Sequence, residues 1–305
     1  MVTMNIRIVF MGSPEFALPT LRALDANFDV VGVVTQPDRP AGRGRKLQPP
    51  DVKIMAQTLG LSVIQPVSLK EPDAVSQLHT WTPDVIVVAA FGQILRENVL
   101  ELPPYGCLNV HASLLPRWRG AAPVQAAILH DDVTGVTIMK MDKGLDTGPI
   151  LSQQRLSISE DSTAGKLSDQ LAQMGAELLV DTLPKFLTGN TKPQKQAQDK
   201  ATYAPRLKKS DGELDFNQSA TYLARMVRAY HPWPGTYQFY NGTRMKVYQA
   251  YAVKAERAVP GKRYIFSEKP AWGTVQGLLV LDRVQLAGKT PVSGEEFLHG
   301  ARDWI

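Results

Sequence analysis

Apolar and polar positions over residues 1–189 fall into short unbroken apolar runs separated by stretches with helical spacing. Ile6-Arg7-Ile8-Val9-Phe10-Met11 predicts a strand ending at Gly12. Ser13 then stands as an N-cap and Pro14 in the first turn of a helix carrying Leu18, Leu21 and Leu24. Val30–Val34 and Ser62–Ile64 predict two more strands. Val85-Ile86-Val87-Val88-Ala89-Ala90 is a continuous apolar run, the mark of a strand covered on both faces. Leu108–His111 and Val136–Met141 follow, with a long amphipathic helix from Thr163 to Leu187. The alternation predicts an α/β fold, a mostly parallel Rossmann-like sheet with helices on both faces, over residues 1–189.

The pattern changes at Gly189. Residues 190–208 start polar and without hydrophobic period, and read as a linker. Over 209–305 one helix, Ala220–Tyr230, precedes short strand signals at Thr236–Tyr240, Met245–Ala252, Thr274–Val275 and Leu278–Val284. Asn241-Gly242 between the first two is a hairpin signal. Short strands at close spacing predict a smaller C-terminal β-barrel with OB-like topology.

Charge separates the two parts. Residues 1–189 carry 16 Lys and Arg against 19 Asp and Glu, a net −3; residues 190–305 carry 18 against 10, a net +8. The positive character of the whole chain, +5, therefore belongs to its C-terminal third, which predicts a polyanionic partner there. No apolar run reaches the ~18 residues of a membrane-spanning helix, so no membrane role is expected. The strand signal beginning at Ile6 leaves no room for a signal peptide, and a single cysteine, Cys107 in an apolar strand, fits a reducing cytoplasm.

The candidate chemistry gathers around Asn109-Val110-His111. Alternation along a strand puts Asn109 and His111 on one face, about 7 Å apart. The carboxyl end of such a strand is where open α/β sheets hold ligands. Asp146, in the glycine-flanked turn Gly144-Leu145-Asp146-Thr147-Gly148, can reach the same rim. An amide, an imidazole and a carboxylate suit acyl transfer without a covalent enzyme intermediate. The turn Phe91-Gly92-Gln93-Ile94-Leu95 lets backbone approach a flat ring closely at Gly92. The loop Thr35–Pro50 carries Arg39, Arg43, Arg45 and Lys46 on a glycine- and proline-rich backbone, with only Asp38 opposing, and suits a mobile phosphate-contacting finger. The turn at Gly12 lacks G-x-G-x-x-G and no acid closes the second strand, against an NAD enzyme. The five histidines have no metal-ligand spacing, and no G-x-S-x-G is present, against a metal site and a serine hydrolase.

Asn-x-His-x-Ser-Leu-Leu-Pro at 109–116, with Asp146 in Gly-Leu-Asp-Thr-Gly, resembles the folate-dependent formyltransferases. The likeness to the methionyl-tRNA formyltransferase branch runs the length of the chain. It includes Phe10–Phe16, Thr35–Pro50, Arg117–Pro123, Tyr203-Ala204-Pro205, Asp211-Gly212-Glu213 and Pro232-Trp233-Pro234-Gly235. The resemblance implies formyl transfer from 10-formyltetrahydrofolate to initiator methionyl-tRNA by a cytoplasmic monomer that needs no metal. It implies catalytic roles for Asn109, His111 and Asp146. It further implies a folate site lined by Ser113, Leu114, Leu115 and Pro116, with Phe91, Gly92, Gln93 and Ile94 around the pterin, and tRNA contacts from Arg39, Arg43, Arg45 and Lys46. Two rivals stay open at this point: a formyltransferase acting on a small-molecule amine, and a non-catalytic RNA-binding module.

Overall fold

The computed structural model describes residues 6–41, 44 and 46–305, which divide into two compact units. The first comprises residues up to Pro123, Thr134–Ser157 and Ser168–Tyr203; the second comprises Val124–Val133, Ile158–Leu167 and Ala204–Ile305.

The first unit is built on a seven-stranded sheet. Across it lie Ile150–Ser157, Val133–Lys140, Cys107–His111, Val85–Ala89, Arg7–Gly12, Asp29–Val34 and Val63–Ile64. The last five of these run parallel, and Val133–Lys140 pairs antiparallel to Cys107–His111. Every residue of Val85–Ala89 and of Cys107–His111 is buried, as unbroken apolar runs require of central strands. Strand order reverses between Arg7–Gly12 and Val85–Ala89, because the chain builds outward from Arg7–Gly12 first one way and then the other. Such a reversal opens a crevice at the carboxyl ends of the strands. The residues that follow Gly12, Ala89 and His111 therefore form its rim.

The strand Ile150–Ser157 is not predicted by the sequence, because the polar run Ser152-Gln153-Gln154-Arg155 breaks its apolar pattern. Ser13 does not cap a helix. A short 3-10 turn, Glu15–Ala17, starts without a side-chain cap before the helix Leu18–Asn27. The Ser13 hydroxyl instead donates to the carbonyl of Phe91 at 3.3 Å. Cys107 is core: burial pushes its thiol up to about 12, which leaves no nucleophile at neutral pH.

The second unit joins an antiparallel sheet to helices Ala220–Ala229 and Gly294–Gly300 and to most of helix Pro123–His130. The strands follow the order Thr236–Tyr240, Thr243–Val253, Leu278–Leu286, Lys269–Gly273, Arg263–Phe266. Asn241, at φ 48°, and Gly242 turn the first hairpin as their dipeptide predicts. The strands Arg263–Phe266 and Lys269–Gly273 replace the single strand expected at Thr274–Val275. Their turn, Ser267-Glu268, takes two left-handed residues, neither of which is a glycine or asparagine that would mark it in the sequence.

The expected boundaries are displaced at two places. Helix Ala220–Ala229 holds two segments from the N-terminal half: Arg225 donates to the Asp131 carbonyl at 3.2 Å and pairs with Asp132, and Arg228 donates to the Ser162 carbonyl at 3.0 Å. Residues 190–203, read as linker, are folded onto the first unit. Gln194 exchanges main-chain hydrogen bonds with Ile150, and Gln196 is buried. Polar composition misleads there because the segment's side chains satisfy buried polar partners, leaving no apolar period to read.

Candidate active site

Asn109 and His111 leave the same face of the central strand, 9% and 6% exposed. Parallel pairing to Val88 on one side and antiparallel pairing to Met139 on the other fix the Asn109 backbone. Among the described residues nothing hydrogen-bonds the Asn109 side-chain amide, although its residue is nearly buried. The amide atoms are not among the buried side-chain atoms left without a partner, so they reach solvent at the rim and are open to a ligand there.

His111 is held from two sides. Its Nε2 lies 3.1 Å from the carbonyl oxygen of Trp118, and its Nδ1 lies 3.8 Å from Oδ2 of Asp146. A carbonyl only accepts, so Nε2 carries a proton in this arrangement. The 3.8 Å separation is an ion-pair distance, too long for a direct hydrogen bond.

The turn that brings Asp146 here is built by its own sequence. Asp142 accepts from the Gly144 N–H at 3.0 Å and from the Thr147 hydroxyl at 2.6 Å, closing the turn on itself. A Cβ at Gly144 would stand 1.9 Å from Thr147 Oγ1, and one at Gly148 would stand 1.9 Å from the Lys140 carbonyl oxygen, so both glycines are required. Asp146 adopts φ 53°, a left-handed conformation that Asp tolerates better than most residues. Its carboxylate accepts the Gly120 N–H at 2.8 Å. The structure thus sets the Asp146 carboxylate beside the His111 ring, and alternation along the strand puts Asn109 on the same face as that ring.

The loop after His111 is braced by residues that no sequence motif flagged. The Thr137 hydroxyl donates to the Ser113 carbonyl at 2.6 Å and accepts from the Leu115 N–H at 3.1 Å, and Gln153 donates to the Leu115 carbonyl at 2.9 Å. Thr202 accepts the Trp118 N–H at 2.9 Å. Thr137 and Gln153 sit in strands and Thr202 in an irregular segment, so only the fold reveals them.

The expected folate residues divide. The Ser113 hydroxyl is buried and donates to the Arg117 carbonyl at 2.6 Å, closing the loop rather than facing outward. Leu115 is core, while Leu114 and Pro116 are half-buried. Phe91 packs in the apolar core with Val9, Met11 and Val88, and its carbonyl accepts from Ser13 and, at 3.1 Å, from Gln36. Gly92 takes φ 80°, and the Gln93 amide is spent on Pro66 and Leu69. Ile94 is 86% exposed at this rim. Phe91, Gln93, Ser113 and Leu115 therefore shape the crevice from behind.

Arg39 and Lys46 are exposed, on the two short strands Arg39–Ala41 and Lys46–Gln48 that pair antiparallel. The base of the expected mobile finger is thus a β-ribbon. Arg43 and Arg45 lie outside the described residues. Asp38, the loop's one acid, is turned to Gln65 and Lys53, which hold its carboxyl below the usual range. Arg39 instead donates to Gln36 at 2.8 Å. Among the described groups of His, Cys, Asp and Glu, none forms a metal-ligand cluster, and no described helix is long and apolar enough to cross a membrane.

Residues 4–183 match the Formyl transferase family and residues 206–302 match Formyl transferase, C-terminal domain. A methionyl-tRNA formyltransferase of Geobacter metallireducens is 43% identical over 301 residues, covering 98% of this chain and 96% of that protein. One from Xylella fastidiosa is 46% identical over 302 residues, covering 98% of each. Among solved structures, WlaRD, a sugar 3N-formyl transferase, superposes with a TM-score of 0.66 at 17% identity over 94% of this chain and 99% of that one. The methionyl-tRNA formyltransferase from Clostridium thermocellum superposes with a TM-score of 0.55 at 15% identity, over 90% and 99%. At such identity the superpositions establish the shared fold.

Proposed function

The chain belongs to the formyl transferase family, and we propose from that premise that it moves the formyl group of 10-formyltetrahydrofolate to the α-amino group of methionyl initiator tRNA, giving N-formylmethionyl-tRNA. The observation that carries the catalytic reading is the convergence of a free Asn109 amide, the His111 ring and the Asp146 carboxylate on one crevice rim. Relatives of this activity that align over the whole chain support tRNA over a small-molecule acceptor. A non-catalytic RNA-binding module would have no use for the three groups together.

The folate supplies a formyl group already activated on nitrogen, so the protein need only position the reactants and manage charge. The neutral methionyl amine attacks the formyl carbon. Asn109 and a protonated His111 stabilise the negative charge that grows on the formyl oxygen. For this the ring trades one of its present neighbours for substrate. Asp146 keeps the imidazole oriented and, directly or through a water in the 3.8 Å gap, receives the proton that the amine gives up. The new C–N bond forms, the bond to the folate nitrogen breaks, and the proton held at Asp146 passes to that leaving nitrogen. Leu114, Pro116, Gly92 and Ile94 offer the folate surface, while Phe91, Gln93, Ser113 and Leu115 hold its shape.

Catalysis belongs to the first unit, which includes residues 190–203, and tRNA binding to the second, whose residues 209–305 carry the basic excess. In the second part the exposed Arg244, seated 3.6 Å over the buried Tyr237 ring, stands near the half-exposed Phe239, a cation and an aromatic face of the kind that meet single-stranded RNA ends. Arg39, Arg43, Arg45 and Lys46 contact phosphates near the acceptor end. The substrates are those of translation, so the enzyme acts in the cytoplasm, as a monomer.

Supplied with 10-formyltetrahydrofolate, the protein should formylate methionyl-tRNA and leave free sugar amines untouched. Replacing Arg43, Arg45 and Lys46 together by alanine should raise the KM for methionyl-tRNA about tenfold or more, since each lost phosphate contact removes a salt-linked increment of affinity. The KM for folate should stay within about twofold, because uniform binding is lost for one substrate only. Equal losses for both substrates would overturn the loop's assignment, and formylation of amines without tRNA would overturn the acceptor.

A further inference from the structure

We propose that Gln196 is a positioning residue for Asp146, held to that task by the buried guanidinium of Arg119. The inference rests on the catalytic reading of Asp146 given above.

Arg119 is 1% exposed, and among the described residues no carboxylate pairs with it. Its Nε and Nη2 donate to Oε1 of Gln196 at 3.1 and 2.7 Å, and its Nη1 donates to Oε1 of Gln198 at 2.9 Å. A buried cation served by neutral amides is a poor choice for stability alone, because desolvating a charge costs several kcal/mol unless a strong partner offsets it. The other end of Gln196 supplies the reason. Its Nε2 donates to the carbonyl of Asp146 at 2.9 Å and to the carbonyl of Gly148 at 2.7 Å. Glutamine satisfies a cation with one atom and two carbonyls with the next. A carboxylate would grip Arg119 harder and leave both carbonyls without a donor.

These bonds close a ring. The Gly120 N–H holds the Asp146 carboxylate at 2.8 Å, and Gly120 follows Arg119 directly. The Arg119-Gly120 segment therefore grips Asp146 twice: at the side chain through a backbone N–H, and at the main chain through Gln196. Asp146 is kept at its left-handed φ of 53°, with Oδ2 3.8 Å from the imidazole. Loss of the Gln196 donor frees the main chain of the turn on the side away from Gly120, so the carboxylate is no longer fixed against His111.

The test compares Gln196→Glu, Gln196→Met and Asp146→Asn in the full chain, with both substrates saturating. Glu keeps the size and the hold on Arg119 but removes the amide donor; Met keeps the volume and removes both functions. Each Gln196 variant should lose about ten- to hundredfold in kcat, the scale of an ångström-sized misplacement. KM for folate and for methionyl-tRNA should stay within about twofold, since no substrate contact is removed. A role confined to partnering Arg119 predicts wild-type kcat for Gln196→Glu, and that result would overturn the inference. If Gln196→Glu does not fold, wild-type kcat in Gln196→Met does the same. An inactive Asp146→Asn beside a fully active Gln196→Glu condemns the clamp alone, whereas an active Asp146→Asn condemns the reading beneath it.

Discussion

Asp146→Asn is expected to lower kcat roughly 10²–10⁴-fold, the range in which a positioned acid or base contributes. Asparagine has the same shape, and its Oδ1 can still accept the Gly120 N–H that now meets the carboxylate at 2.8 Å. The turn, already closed by Asp142 on Gly144 and Thr147, should hold its backbone. What disappears is the negative charge 3.8 Å from His111 Nδ1, and with it the carboxylate proposed to take the amine's proton. Single-turnover formylation at saturating substrate reads this loss without interference from product release. A variant within threefold or so of wild type would remove Asp146 from the proton's route, because a loss that small is far below the acid–base range.

Asn109→Ala should cost about 10²–10³-fold in kcat, as removal of one oxyanion donor does elsewhere. The expected loss is kinetic rather than structural. The strand is fixed through main-chain pairing to Val88 and Met139, and no described side chain or backbone group depends on the amide being removed. The thermal midpoint should move little while kcat collapses and both KM values stay near wild type. An amide that merely supported packing would give the reverse: a lower midpoint and unchanged turnover of the folded fraction.

Much of this site could be read from the chain because local chemistry and local structure coincide there. The apolar run before Asn109 names the strand, alternation puts Asn109 and His111 on one face, and the glycines around Asp146 mark the turn. The same reasoning missed what depends on distant partners. Gln196 sits in a polar stretch with no periodicity, and only its bonds to Asp146, Gly148 and Arg119 reveal that the stretch is part of the first unit. Ser13 has the form of a helix cap, yet tertiary structure spends its hydroxyl on the Phe91 carbonyl. Ser113 and Phe91 have the composition of ligand contacts, while burial turns both inward. In the second unit the helix and the first hairpin are legible, while Arg263–Phe266 and Lys269–Gly273 are not. The turn at Ser267-Glu268 takes two left-handed residues with no glycine or asparagine to mark it, so the sequence does not show the strands on either side. The segments 124–133 and 158–167 join that unit through Arg225 and Arg228, contacts that sequence order conceals.

The proposed catalysis requires Asn109, His111 and Asp146 to surround one reacting carbonyl. A crystal structure with a stable 10-formyltetrahydrofolate analogue measures it directly. The formyl oxygen should lie about 3 Å from the Asn109 amide nitrogen, the distance an oxyanion donor requires, with His111 and Asp146 beside the formyl carbon. An analogue seated in the crevice with its formyl group turned away from all three side chains would contradict it.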